Sequence, residues 1–147
     1  MEKTNELNKM LSYIHMGNSI FRVYGKEALR LNDEKLMDMI NDVSNLFKSH
    51  EEIVSKLIEK ENEHATNSVS FAGRMGIFIE KIKTFKDSYS ICISAIKSVN
   101  MGLISTLKFL GENNNLKNPI KRQIIKIIDD YCFIIEKIKE YAINLCS

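Results

Sequence analysis

The chain has 147 residues, 44% of them hydrophobic and 27% charged, with a formal net charge of +2. That length and mixture fit one globular domain, residues 1–147, with a sizeable core. Lys and Asp/Glu are interspersed with no basic stripe, which excludes the electrostatic footprint of a nucleic-acid binder. The polar start MEKTNELNK does not read as a signal peptide, and no apolar run reads as long enough to cross a membrane.

One proline and six glycines are too few for a turn-rich β fold and suit long helices. Three scattered cysteines, Cys92, Cys132 and Cys146, read as reduced thiols of a cytoplasmic protein, Cys92 and Cys132 as core packing, rather than as a disulfide framework or a zinc site. The expected elements are all helical. In the first, about 5–31, Leu7, Met10, Ile14, Gly17, Phe21, Tyr24 and Ala28 recur at steps of three and four, one continuous seam. LNDEK then breaks the helix, and Asn32 or Asp33 can cap the next. The second, about 33–63, carries Leu36, Ile40, Val43, Phe47, His50, Val54 and Leu57 on its seam.

HATNSVSFAG reads as a linker into a shorter amphipathic helix, about 71–84. Asp87 or Ser88 can cap the third long helix, about 88–110, whose seam holds Cys92, Ala95, Val99, Gly102, Thr106 and Phe109 or Leu110. GENNNLKNP is the clearest break: Gly111 is placed to take a left-handed C-cap, and Asn118–Pro119 to cap and open the fourth helix, about 119–145. Ile120, Ile124, Ile127, Tyr131, Ile134, Ile138 and Tyr141 form that helix's seam. The reading is an all-α four-helix bundle, and two short links flanking one long crossover favour ferritin-like connectivity with a short helix in the crossover.

Met16–Gly17 and Met101–Gly102 interrupt two helices with a residue that costs about 1 kcal/mol in a helix interior relative to alanine. Both glycines fall on inward seams near mid-helix, as do His50 and Tyr131. A central polar layer is therefore expected, with Asn18 and Asn100 beside the glycines. One reading is packing, with the missing side chains making room for an imidazole and a phenol; the other is a site, or the remnant of one.

The stretches LNKMLSYIHMGNSIFRVYGKEA, SFAGRMGIFIEKIKTF and MGLISTLKFL together resemble a bacterial ferritin-like family of small stand-alone bundles of unknown function. Metal-binding ferritin-like proteins use one Glu from each of two helices and a Glu-x-x-His from each of the other two, because carboxylates bridge two hard cations and the three-residue spacing aims both side chains at them. Carried onto this chain the set fails. Asn18 and Leu103 follow the two glycines, Phe47 stands three before His50, Ile53 three after it, and Ile128 three before Tyr131. The one Glu-x-x-His, Glu61–His64, falls at the end of the second helix.

The expectation is a non-enzymatic bundle without cofactor or metal, binding no nucleic acid or membrane, and acting as a binding or structural module. It is expected to self-associate as a dimer, with Phe71, Phe78 and Phe85 of the crossover covering a groove or a dimer contact. The alternative is a metal-handling or redox protein with an atypical centre near His50 and Tyr131; a small ligand over the two glycines is a third reading.

Overall fold

The computed structural model describes residues 2–60 and 84–146, with side chains from residue 6 onward. Among these residues there are four α-helices and no strand: α1 (Glu2–Arg30), α2 (Glu34–Lys60), α3 (Ser88–Glu112) and α4 (Asn118–Leu145). The expected short helix at 71–84, the SFAG motif, Phe71, Phe78 and the Glu61–His64 pair lie outside the described residues.

The α1–α2 link shows why the chain turns where it does. Asn32 takes the left-handed conformation, φ 57°, which Asn tolerates better than most side chains. The Asn32 N–H then donates to the Leu29 carbonyl at 3.0 Å and the Asp33 N–H to the Ala28 carbonyl at 2.9 Å, the paired bonds of a Schellman end. Asp33 at once caps α2, its Oδ1 accepting from the Leu36 N–H at 3.1 Å. Two roles on adjacent residues leave no room for a longer loop, so α1 and α2 pack antiparallel.

At α3 the N-cap is Asp87, whose carboxylate accepts from the Ser90 N–H at 2.8 Å and the Ser90 hydroxyl at 2.7 Å. Two expected ends differ. Gly111 takes no left-handed cap: it lies within α3, and Asn113 closes the helix, its Nδ2 donating to the Phe109 carbonyl at 2.8 Å. Asn118 lies inside α4 with Pro119 in the first turn; the N-cap is Lys117, which makes no side-chain cap bond. A following proline drives its neighbour out of the helical region, yet Asn118 adopts it, so the helix starts one residue early.

Adjacent pairs around the bundle are α1 with α2, α1 with α3, α3 with α4, and α2 with α4, the last making the sparsest contact. The directions follow from side-chain links. Tyr24 meets Ser98 at 2.7 Å and Arg30 donates to the Phe85 carbonyl at 2.5 Å, so the end of α1 lies beside the start of α3. Tyr141 donates to the Asp33 carboxylate at 2.5 and 2.6 Å, so the end of α4 lies beside the start of α2. Every adjacent pair is therefore antiparallel, and Lys60 and Thr84 sit at opposite ends of the bundle.

The inward seams build the core, in which Phe21, Tyr24, Ile58, Ile91, Ile124 and Phe109 are among the large fully enclosed side chains. Phe85, expected to cover a groove or form a dimer contact, is buried and meets the Tyr24 ring edge-on at 5.7 Å. It is held by Glu27, a buried carboxylate that accepts from the Phe85 N–H at 2.7 Å and from Arg30 at 3.0 and 3.2 Å. The Arg30 bond, outweighing the opposing effect of burial, holds the Glu27 carboxyl below its ordinary value. This clamp fixes the chain ahead of α3 onto the end of α1.

Candidate functional site

The central layer is real but is not assembled as its residues suggest one by one. The Tyr131 ring lies against Gly102: a Cβ built there would stand 3.2 Å from Tyr131 Cζ and 3.3 Å from its oxygen. Gly17 faces a different ring, with Phe47 carbons 3.2 Å from where its Cβ would be. Phe47, Tyr131 and His50 then close on one another, with ring centroids 6.2 Å apart for Phe47–Tyr131 and 5.3 Å for His50–Tyr131. Each glycine thus accommodates one aromatic ring from a neighbouring helix.

Asn18 is half-buried, and Asn100 is exposed. Asn100 stands two residues from Gly102, which on a helix turns it toward the opposite side. It is no part of the layer.

Polar atoms in the layer are few. The Tyr131 hydroxyl hydrogen-bonds Thr106, whose own hydroxyl donates to the Gly102 carbonyl at 2.8 Å, so a short chain of bonds ends on the α3 backbone. Burial pushes the Tyr131 phenol up, far outside any range where it would ionise near neutral pH. His50 is wholly enclosed, at 0% exposure. Its Nε2 lies 2.8 Å from Asp130 Oδ2, a carboxylate oxygen that can only accept, so the proton sits on Nε2. Lys126, 3.1 Å away, neutralises the same oxygen. Nδ1 is left with a bare lone pair and no hydrogen-bond partner. Burial drives the His50 pKa down, only partly opposed by Asp130, and Lys126 adds to the fall.

His50–Asp130 and Tyr141–Asp33 are polar links across the sparsest seam, between α2 and α4. Neither Asp130 nor Asp33 stood out as a partner beforehand. A second histidine, His15 on α1, pairs with Glu51 on α2 near the surface.

The chemistry this arrangement could support is limited. Among the described residues no three His, Cys, Asp or Glu side chains converge as a metal site needs. Cys92 is buried and its thiol is pushed up to about 11, leaving almost no nucleophilic thiolate at neutral pH. Cys132, expected to pack in the core, is exposed, as is Cys146.

The glycines make opposite predictions under one substitution. Gly102→Ala should lower stability by about 1 kcal/mol, since crowding a buried ring costs more than the helix gains. Gly25→Ala meets only Ile40 Cγ2 at an ordinary 3.6 Å and should raise stability by roughly 0.5–1 kcal/mol. Urea unfolding of both variants measures the difference, and reversed signs would contradict the packing described here.

One helix changes an expectation about membranes. Ser88–Glu112 is long and apolar enough to cross a bilayer by length and composition alone, with a mean hydropathy of 1.4 and only 28% of that window buried. Tyr89, Ile93, Met101, Ile104 and Leu107 leave its outer face apolar. Compared with known proteins, the chain matches no family, and no curated protein and no solved structure is significantly similar to it.

Proposed function

We propose that this chain is a ferritin-like helical bundle without a catalytic or metal centre, working as a structural, self-associating binding module. Its helix directions support the fold: neighbouring helices are antiparallel and Lys60 and Thr84 lie at opposite ends of the bundle, an arrangement shared with ferritin-like folds. The single observation that carries the functional reading is that the central layer is filled by rings packed on glycines. The positions where metal-binding relatives of that fold place ligands hold Asn18, Phe47, Leu103 and Ile128, and the Phe47 ring occupies the space over Gly17. These residues do not fit a di-metal centre.

His50 favours a second reading, a one-histidine metal or redox site. A carboxylate on one ring nitrogen and a free lone pair on the other is the arrangement that orients a metal-binding imidazole. Elemental analysis of protein purified without chelators separates the two. The packed-layer reading expects no stoichiometric iron, manganese, zinc or copper; about one tightly held ion per chain, lost in His50→Leu, would establish the second reading instead.

A further inference from the structure

The bundle is built from two close pairs. α1 packs most extensively on α2 and α3 on α4, and the pairs meet through α1–α3 on one side and the sparse α2–α4 seam on the other. The α1–α3 side is fastened by Tyr24–Ser98 and by the Glu27–Arg30 clamp on Phe85. The α2–α4 side is incompletely filled, with a groove of about 250 Å³ over Val43, Leu46, Phe133 and Ile134. Asp33–Tyr141 closes that side at one end and His50–Asp130 part-way along. Past His50, toward Lys60, the seams hold apolar side chains, Val54 and Leu57 on α2 and Ile124 and Ile127 on α4.

We infer that this side is a proton-operated seam: protonation of His50 parts α2 from α4 around the central layer, while the α1–α2 and α3–α4 pairs and the Asp33–Tyr141 link hold. The inference rests on the packed-layer reading above, since a metal on Nδ1 would take the proton's place. The imidazole is wholly enclosed, and Nδ1 has no partner. A proton there makes a buried donor with no acceptor, on a cation stripped of water, and opening to solvent relieves both. Charging the ring also strengthens Nε2–Asp130, but Lys126 already balances that carboxylate, so the gain is smaller than for an isolated pair. The lowered His50 pKa has the same sign, because burial outweighs Asp130. From α4 the imidazole is faced by Asp130, Lys126 and the Tyr131 ring, 5.3 Å away between centroids. On α2 the Phe47 ring lies near it, and Glu51 turns instead to His15 of α1. α3 reaches the layer through Thr106, bonded to the Tyr131 hydroxyl. A proton shifts a conformational balance only by binding one form better, and the α2–α4 seam is where opening breaks the fewest contacts.

Spin labels on exposed positions read the seam by double electron–electron resonance. In a Cys132→Ser, Cys146→Ser background, Glu59→Cys with Gln123→Cys spans α2–α4, and Arg22→Cys with Asn45→Cys spans α1–α2 as the reference. Between about pH 7.5 and about pH 5 the α2–α4 pair should gain a longer-distance population, its share rising up to about tenfold per pH unit below about 6.5. The reference pair should not change. His50→Leu should remove the response, and His50→Gln, also uncharged at every pH, serves if the leucine variant does not fold. A fixed α2–α4 distance over this range overturns the inference. So does a lengthening that survives the His50 change, or one that the α1–α2 pair shares, which is global unfolding. All labelled samples contain a chelator. An ion found in chelator-free protein therefore ends the packed-layer reading, while the distances still decide this one.

Discussion

Asp33→Ala should lower the unfolding free energy by about 3 kcal/mol. Losing an N-cap costs about 1–2 kcal/mol, and Asp33 caps α2 through the Leu36 N–H. The same carboxylate accepts the Tyr141 hydroxyl from α4 and is hydrogen-bonded by Ser88 at the start of α3. Bonds to a charged acceptor contribute about 1.5–3 kcal/mol where they are shielded, and Asp33 is half-buried, so the lower end applies. Burial alone would raise the Asp33 carboxyl; the bonds from Tyr141, Ser88 and Leu36 outweigh it and hold the group below its ordinary value. One side chain thus ties three helices at one end of the bundle. The expected fall in Tm is about 10 °C for a domain of this size. Tyr141→Phe removes one donor and keeps the ring, and should cost about 1 kcal/mol. Thermal unfolding of both variants tests this, and an Asp33→Ala loss below about 1 kcal/mol would show that the links are incidental.

Acidification should destabilise the protein well before its carboxylates protonate. Burial depresses the His50 pKa in the folded state, so below an unfolded value of about 6.5 the unfolded chain takes up a proton that the folded chain resists. Stability is therefore complete above that value and falls as pH drops toward the folded pKa, by at most about 1.4 kcal/mol per pH unit. Asp130 and Lys126 from α4 and the Tyr131 ring are the polar groups facing the imidazole. Protonated, Nδ1 would become a buried donor with nothing to accept it. Glu27, Asp33 and Asp87 are shifted the other way: their folded pKa values are depressed below ordinary carboxylate values of 4.5, 3.8 and 3.8, so their stabilisation is lost only below that range. Two separate acid steps should appear in urea midpoints measured across pH, the upper one belonging to His50.

Most of the helical architecture was legible because burial imposes a period on each helix separately. The seams running through Phe21, Phe47, Val99 and Ile134 are buried as the spacing required, and His50, Gly102 and Tyr131 do turn inward. Register between helices is not written in any one seam. Gly17 and Phe47 were both inward residues, but that one covers the other depends on how α1 slides along α2. Asp130 shows the same limit: the IIDDYCF stretch offers two acids, and only the position of α2, some 80 residues away in sequence, selects the second. Asn100 was avoidable, since two residues from Gly102 is the wrong side of a helix. The outer stripe of α3 was visible as Ile93, Ile104 and Leu107, but a search for one seam per helix passes over a second.

The central layer as packing, rather than as a site, is tested most directly by His50→Leu. Leucine has similar volume, removes the unpartnered Nδ1, and leaves Asp130 with Lys126 and partial access to water. Urea unfolding should place the variant within about 1 kcal/mol of the wild type near pH 7 and above it near pH 5, with the upper acid step gone. A loss of about 3 kcal/mol or more near pH 7, with that acid step still present, would contradict a packed structural layer.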